Sequence, residues 1–230
     1  MSGERALVLD FGGVVTRTLF ETHDLTEKAL ELPAGSLTWR GPFDPGGDQL
    51  WRSMQAGDIS EREYWAHRTG EVGALAGRPW TQMQDFVMAA RGADPESVIR
   101  PEFPEAIGHA RARGTRTAIL SNELDLFYGA EFRARLPFLA DFDLIVDATY
   151  TGILKPDPAA YALVTQGLGI AARDCVFVDD QKRNIDGADA FGMQTVHFDV
   201  TNPQDSYDRA LTLLGRRHQE AETPCTIPIS

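Results

Sequence analysis

Acidic residues stand at the ends of two apolar runs in this sequence. The first run, residues 5–9, ends in Asp10. The second run, residues 175–178, ends in Asp179 and Asp180. Such runs are typical of buried parallel strands, whose carboxyl ends open into the crevice where doubly wound α/β proteins bind ligands. We therefore expect the three acids to meet in one pocket if the two strands belong to the same sheet.

These acids could do chemistry together. An unperturbed aspartate has a pKa of about 3.9, so Asp10 would be ionised near neutral pH and could attack an electrophilic phosphorus or carbon atom. Like charges this close need a cation, and carboxylate oxygens suit Mg²⁺. The residues alone leave a simpler interpretation open. Asp10 could end a strand at a glycine turn, and Asp179-Asp180 could form a solvated turn before a helix that begins near Asn184.

Polar side chains follow two further predicted strands. Ser121 and Asn122 come directly after residues 116–120, where they could donate hydrogen bonds to phosphate oxygens. Lys155 follows residues 143–147, and its ammonium could balance the charge of a phosphoryl group and orient a nucleophile. Each has an ordinary alternative: the Ser-Asn pair could cap the next helix, and the lysine could be a solvent-exposed loop residue.

Strands and helices alternate from about residue 101 onward. Repeated strand–helix units predict a parallel sheet covered by helices on both faces, which is a Rossmann-like α/β fold. The run of residues 5–10 must join this sheet. The predicted strands are 116–120, 143–147, 175–179 and 195–199, and the predicted helices are 104–113, 125–136, 158–168 and 184–191.

The segment 16–95 shows helical periodicity without a comparable strand, so we expect a helical cap inserted into the core. The core would then consist of residues 1–15 and 96–215, and residues 216–230 would form a flexible tail. A capping-box pattern predicts that a helix begins at Ser60. All the tryptophans fall in the cap, where we expect them to pack in its interior more than line a ligand site. They are Trp39, Trp51, Trp65 and Trp80.

Composition narrows the class of protein. The chain has 230 residues, of which 43% are hydrophobic, which is enough to build a core. Its 22 basic and 34 acidic residues give a net charge of −12, which disfavours nucleic acid and anionic membranes as partners. We find no signal-peptide-like or membrane-spanning run and predict a cytoplasmic protein. Cys175 and Cys225 do not suggest a disulfide framework, and Cys175 is expected to be reduced and buried.

The order of these residues, and the sequences around them, resemble the four motifs of the haloacid dehalogenase superfamily of phosphatases and dehalogenases. The matching strings are LVLDFGGVV, AILSNE, GILKPDPAAY and VFVDDQKRNIDGADAFGM. The resemblance extends from residue 5 to about residue 200. The inserted helical segment occupies the place of the cap that is called C1 in that superfamily.

The resemblance implies a role for each matched residue. Asp10 would be the nucleophile that forms an aspartyl-phosphate, with Ser121 and Lys155 assisting catalysis, and Asn184 would order the loop. The implied Mg²⁺ ligands are Asp10, the backbone carbonyl of Gly12, Asp179 and Asp180. The implied phosphoryl-binding residues are Gly12, Gly13, Ser121, Asn122 and Lys155. The implied partner is a small phosphorylated metabolite, either a sugar phosphate or a nucleotide-like compound.

The sequence departs from the commonest superfamily pattern at Gly12. Phosphatases of the superfamily commonly carry an aspartate there, which protonates the leaving oxygen and later activates water. The Gly-Gly string resembles a branch that includes sugar-phosphate phosphatases and the phosphatase domains of epoxide hydrolases. We expect either a good leaving group or a proton donor from the substrate or the cap. His23, Asp24 and His67 are the candidates in the cap, although a surface position is the better explanation for each. Hydrolysis of the phosphorylated enzyme should then be slow.

Two other functions stay open. A 2-haloacid dehalogenase also uses an aspartate nucleophile and needs no metal, but dehalogenases of the superfamily usually have an aromatic residue in place of Gly12 and lack the paired metal acids. A catalytically impaired protein that binds a partner has no evident use for the complete set of site residues. In the enzyme, specificity should lie in the cap, and we expect residues 16–24 and 40–52 to contact the substrate.

Overall fold

A single parallel sheet forms the centre of the protein. The structure, a computed structural model, describes residues 4–91, 95–122 and 124–215. Its strands lie in the order β3-β2-β1-β4-β5, and every neighbouring pair is parallel. The predicted Rossmann-like fold class is therefore confirmed. The strands are β1 (Ala6–Leu9), β2 (Arg116–Ser121), β3 (Leu144–Asp147), β4 (Cys175–Asp179) and β5 (Gln194–His197).

Helices occupy most of the remaining described residues. Between β1 and β2 lie α1 (His23–Ala29), α2 (Gln49–Ala56), α3 (Glu61–Leu75), α4 (Met83–Arg91) and α5 (Phe103–Ala112). After β2 come α6 (Leu124–Ala134), α7 (Ala148–Thr151), α8 (Pro158–Leu168), α9 (Lys182–Phe191) and α10 (Pro203–Gly215). The sequence analysis missed α10 and the short α7, and its other core elements agree with the structure to within a few residues.

The strands bury both of their faces. On one face, side chains such as Leu7 and Val178 join a core cluster that includes Ala110 of α5 and Tyr207 of α10. On the other face, alternate residues such as Val8 pack with α8 and α9. Burial on both sides explains why the strands are continuous apolar runs, since a sheet with one wet face would alternate apolar and polar residues.

The order of the strands brings the predicted site together. β1 is the central strand, and Leu9 lies in register with Ile119 of β2 and Val178 of β4. The chain winds from β1 outward through β2 and β3, then returns to the other side of β1 for β4 and β5. The crevice at such a reversal, outside the carboxyl ends of the strands, is where ligands bind in this class of fold.

The insertion between β1 and β2 has its own apolar cluster, which includes Phe20, Tyr64 and Phe86. A buried polar group organises it: the carboxylate of Asp48 accepts hydrogen bonds from the Tyr64 hydroxyl at 3.0 Å and from the Arg68 guanidinium at 2.6 Å. The capping box predicted at Ser60 is confirmed. The division into core and cap at residues 15 and 96 stays a prediction.

The tryptophans of the insertion pack mainly with one another and with neighbouring aromatic rings. Trp39 and Trp51 are buried and each meets Phe20 edge-on. Trp65 is half-buried and contacts Phe20 and Tyr64. The interior positions expected from the sequence therefore hold for Trp39 and Trp51.

Cys175 is fully buried and not in a disulfide, and burial raises the pKa of its thiol to about 12. It is a core residue, as predicted. Cys225 and the predicted tail 216–230 lie outside the described residues. Within the described ranges, no helix combines the length and apolar character needed to cross a membrane. Location in the cytoplasm stays a prediction from the sequence.

His23 is a buried residue of the cap, so its expected surface position was wrong. Its ring lies edge-on to Trp39 with 4.3 Å between the ring centroids. Burial, helped by Arg40, lowers the pKa of His23 from 6.5 to about 4, although Glu27 opposes the shift. In the unfolded chain His23 therefore becomes protonated as the pH falls below 6.5, whereas in the folded chain it stays neutral until about pH 4. Stability that is present above this window should fall as the pH drops through it.

The measurement is the midpoint of thermal unfolding at several pH values across this window. In His23→Phe the loss of Tm on acidification should be smaller than in the wild type, whatever the Tm at neutral pH. His67, which is exposed on α3, offers a control, because His67→Phe should keep the wild-type pH dependence. Parallel Tm profiles for His23→Phe and the wild type would contradict this prediction.

Candidate active site

The turn after β1 places Asp10 at the reversal of the sheet. The backbone N–H of Asp10 donates to the carbonyl of Val178 at 2.9 Å, which continues the pairing of β1 with β4. Gly13 has a φ of +78°, and a Cβ there would lie 2.7 Å from Oδ2 of Asp180. Only glycine both adopts this backbone conformation readily and leaves room for that carboxylate.

The three acids predicted from the ends of β1 and β4 do meet. Carboxylate oxygens of Asp10, Asp179 and Asp180 all lie within 4.8 Å of one another. Lys155, which is almost completely buried, bridges two of them: its Nζ lies 2.9 Å from Oδ1 of Asp10 and 2.6 Å from Oδ2 of Asp179. Residues that are far apart in the sequence thus form one charged cluster.

Two of the three acids have raised pKa values although the ammonium of Lys155 lies beside them. Burial raises the pKa of Asp10 from 3.8 to about 7, with Lys155 opposing the shift and Asp179 adding to it. Burial and the charge of Asp179 also raise the pKa of Asp180 well above its ordinary value. For Lys155, burial would lower the pKa, but Asp10 and Asp179 more than offset this and hold it above its ordinary value.

The donor set fits a divalent cation. Three carboxylates and one ammonium leave a net charge of two negative units when all are ionised. Burial first, and the neighbouring carboxylates in addition, raise the pKa values of Asp10 and Asp180. Oxygen ligands of this type, close together and partly open to a cleft, suit Mg²⁺. The residues that could hold it are Asp10, Asp179, Asp180 and the backbone carbonyl of Gly12.

Other predicted residues hold the charged groups in place. The amide of Asn184 donates to both carboxylate oxygens of Asp179, at 3.1 and 3.0 Å, and the backbone N–H of Gln181 donates to Oδ1 at 2.8 Å. The side chain of Asn122 accepts from the backbone N–H of Lys155 at 2.7 Å and donates to its carbonyl at 3.1 Å. Asn122 therefore positions the lysine in addition to lining the cleft.

A cleft that is open to solvent lies above this cluster. Ser121, at the carboxyl end of β2, lines it, as do Gly12 and Gly13. All the predicted site residues except the deeply buried Asp179 line this space. Asp179 contacts Lys155, which lines the cleft and also contacts Asp10.

The model of the haloacid dehalogenase-like hydrolase family matches residues 4–192 of the chain, which include every element of the cluster. The chain belongs to this family. The resemblance recognised in its four motifs is therefore confirmed.

Relatives of the chain include both phosphatases and dehalogenases. The chain is 33% identical to (S)-2-haloacid dehalogenase 1 of Pseudomonas sp. (strain CBS-3) over 94% of its own length and 91% of that protein. It is 31% identical to a phosphatase of Mycobacterium tuberculosis over 50% of its own length and 54% of that protein. Several curated relatives are matched over only about half of their length or less.

The fold of the chain is also found in solved structures. The L-2-haloacid dehalogenase from Xanthobacter autotrophicus superposes with a TM-score of 0.55 at 19% identity, covering 85% of this chain and 77% of that one. At this identity the likeness concerns the fold alone.

The insertion between β1 and β2 contributes residues to the cleft. From the expected segment 16–24 the structure brings Thr18, Leu19 and Phe20 to the cleft, and from 40–52 it brings Trp51. The candidates His23, Asp24 and His67 do not line it. The additional lining residues are Glu61, Trp65, Met83 and Val87 from the insertion, and Tyr128 and Gln181 from outside it.

Arg100 is a further residue that no sequence pattern singled out. Its Nε donates to the carbonyl of Gly13 at 2.8 Å, and its two terminal nitrogens donate to the carboxylate of Glu21 at 2.9 and 2.8 Å. Glu21 in turn accepts from the hydroxyl of Thr18 at 2.8 Å. A buried arginine thus connects the loop beside Asp10 to the beginning of the insertion, and no local sequence pattern predicts this connection.

Proposed function

We propose that the chain is a Mg²⁺-dependent phosphomonoester hydrolase that acts on a small phosphorylated metabolite through an aspartyl-phosphate on Asp10. The observation that carries the proposal is the pair Asp179-Asp180 beside Asp10, with carboxylate oxygens of all three within 4.8 Å. An aspartate that only attacks carbon has no need of two further acids at that distance. The phosphatase of Mycobacterium tuberculosis among the relatives supports the same assignment.

The chemistry divides into two displacements at phosphorus. A carboxylate oxygen of Asp10 forms a bond to phosphorus while the bond from phosphorus to the leaving oxygen breaks. Water then attacks the phosphorus, which releases phosphate and restores the carboxylate of Asp10. Bound Mg²⁺ would supply positive charge against the phosphoryl oxygens.

The side chains have separate parts in these steps. Lys155, at 2.9 Å from Asp10, orients the nucleophile, and its charge favours the ionised carboxylate against the opposing effect of burial. Ser121 at the end of β2 is placed to donate to a phosphoryl oxygen. Asn184 and Asn122 are positioning residues, since they hold Asp179 and the backbone of Lys155.

The test of this proposal is a screen for phosphate release. Sugar phosphates, nucleotides, and alkyl and aryl phosphates would be incubated with the protein, with and without Mg²⁺, and with Asp10→Asn as the blank. The proposal expects Mg²⁺-dependent release from at least one class of monoester that the blank does not produce. Equal release by protein and blank throughout the panel would refute it.

Removal of the metal should abolish turnover, and the metal should bind more weakly in acid. Because burial raises the pKa of Asp10 to about 7, protons compete with Mg²⁺ for this carboxylate below neutral pH. The apparent affinity for Mg²⁺ should therefore increase as the pH rises through neutrality, by up to about tenfold per pH unit for each carboxylate that must lose a proton, with the raised pKa of Asp180 adding to the dependence. Titration calorimetry with Mg²⁺ at several pH values measures this directly, and Mg²⁺ affinity that does not change with pH would contradict the prediction.

A 2-haloacid dehalogenase is the second candidate, because a relative of that activity aligns with the chain over 91% of its own length. In that reaction Asp10 would attack carbon and expel halide. Halide release from 2-haloacids that persists in the presence of a chelator would favour this function over the phosphatase. The acidic pair beside Asp10 makes the phosphatase the better supported of the two.

A further inference from the structure

The wall of the cleft that faces Asp10 from the cap is apolar. It is formed by residues from the segment after β1, from α2, from α3 and from α4. These residues are Leu19, Phe20, Trp51, Trp65, Met83 and Val87. A substrate whose phosphoryl group rests at Asp10 would place the rest of its body against this wall.

The polar side chains beside the wall already have partners within the protein. The Thr18 hydroxyl donates to Glu21 at 2.8 Å. Glu61 forms an ion pair with Arg183 at 3.1 Å. Glu61 can still accept a hydrogen bond at its edge of the cleft. Against the apolar residues of the wall, however, the hydroxyls of a sugar would lose hydrogen bonds to water without gaining equivalent ones, which is unfavourable.

Two further polar residues that line the cleft already have partners. The Tyr128 hydroxyl is hydrogen-bonded to that of Thr16 at 3.2 Å. The side-chain carbonyl of Gln181 accepts from the amide of Gln55 at 3.2 Å. The cap wall itself therefore offers few partners to a polyhydroxylated body.

Positive charge is concentrated at one point of the cleft. Among the residues that line it, all within the described part of the chain, Lys155 is the one lysine or arginine, and it contacts Asp10 and Asp179. One phosphoryl group can be balanced there with the help of a divalent cation, while a second phosphate placed against the apolar cap wall would meet no such centre. The arginines Arg62 and Arg183 line a separate pocket, which is also bordered by Lys155 and Asn122.

We propose that the substrate carries one phosphoryl group on a small apolar body, as an alkyl or aryl phosphomonoester does, in place of the sugar phosphate or nucleotide-like compound that the sequence suggested. This inference rests on the proposed phosphatase function and specifies its substrate class. Aryl esters meet a further requirement of the site. A phenol has a pKa of about 10, as in tyrosine, so it leaves with less need of the proton donor that is missing at Gly12.

The test uses phosphonates, which bind but are not hydrolysed. Ethyl-, butyl- and hexylphosphonate would be titrated into the full protein chain with Mg²⁺. The comparison ligand is a phosphonate whose alkyl group has the same length but carries hydroxyl groups. Each methylene buried against the cap wall should lower the Kd by about threefold to fourfold. The hydroxylated compound should bind more weakly than its apolar counterpart.

Matched variants locate the effect. Met83→Gln places an amide in the wall at nearly constant size, and it should weaken the binding of hexylphosphonate while leaving that of ethylphosphonate nearly unchanged. Met88→Gln alters the same residue type on the same helix α4, but away from the lining of the cleft, and it should match the wild type.

The outcomes separate the two proposals. A Kd that does not change with chain length, or tighter binding of the hydroxylated compound, would overturn the apolar substrate class while leaving the phosphatase in place. Absence of Mg²⁺-dependent phosphate release from every monoester would overturn the phosphatase itself, and the substrate class with it.

Discussion

Asp10→Asn should reduce phosphate release by at least about 10⁴-fold, because loss of a nucleophile removes the covalent route altogether. The amide nearly preserves the size of the carboxylate, so the substitution tests chemistry more than packing. It also removes one negative charge from a cluster in which Asp179 and Asp180 lie close by, so any loss of turnover cannot be assigned to added repulsion. The measurement is kcat/KM for the best monoester in the presence of saturating Mg²⁺.

Asp186 offers the matched control. It lies exposed on α9, pairs with Lys182 and takes no part in the cluster, so Asp186→Asn should keep wild-type turnover. Thermal unfolding of both variants shows whether the fold is retained. Turnover by a folded Asp10→Asn protein at a rate near that of the wild type would contradict the assignment of the nucleophile.

Gly12→Asp should increase turnover, which few substitutions in an active site do. The backbone at Gly12 has φ −69° and ψ 129°, which any residue adopts, and a Cβ there would meet no atom within 4 Å. An aspartate in this open space could protonate the leaving oxygen and later activate water. General acid–base catalysis contributes about 10² to 10⁴ in rate, so steady-state turnover of substrates with poor leaving groups should rise by up to that factor.

Gly12→Asn is the control that distinguishes proton transfer by the new side chain from the effect of its size. Asparagine matches the size of aspartate but cannot exchange a proton, so it should show no gain. The wild type should give a burst of product followed by a slower steady rate, and Gly12→Asp should increase the slow rate. If Gly12→Asp and Gly12→Asn have the same activity in folded proteins, the missing acid does not limit the wild type.

The placement of the charged residues could be predicted from the sequence because strand ends are encoded locally. Asp10 and Asp179 each terminate an apolar run, and parallel strands carry such residues to one edge of the sheet. That β1 lies between β2 and β4 was not encoded in any single segment. It follows from the winding of the whole chain, and it is what brings Ser121 and the acidic pair to opposite sides of Asp10.

The roles of several side chains could not be predicted, because they depend on contacts between distant segments. From the sequence, Asn122 could equally bind a phosphate or cap a helix. In the structure its side-chain amide is hydrogen-bonded to both the backbone N–H and the backbone carbonyl of Lys155. Arg100 hydrogen-bonds to both Gly13 and Glu21, which lie 87 and 79 positions before it in the sequence. His23 sits in a segment that looked polar, but the folding of α1 against Trp39 buries it.

α10 was missed for a different reason. Residues 203–215 begin with Pro203 and carry apolar residues at helical spacing, Tyr207, Ala210, Leu211 and Leu214, so the helical face was present in the sequence but was not recognised. Tyr207 and Ala210 form that face, and they are buried against the same side of the sheet as α5. The hydroxyl of Tyr207 also donates to the carbonyl of Val14 at 2.7 Å, which supports the turn after Asp10 from behind.

The most direct test of the account is the mass of the peptide that contains Asp10, measured after the enzyme is mixed with Mg²⁺ and a turnover substrate and quenched in acid. The account predicts that a fraction of this peptide carries one additional phosphoryl group, that the modification maps to Asp10, and that Gly12→Asp lowers its steady-state amount by speeding hydrolysis. Phosphate release by an enzyme in which Asp10 is never modified, or a phosphoryl group found on another residue, would contradict it.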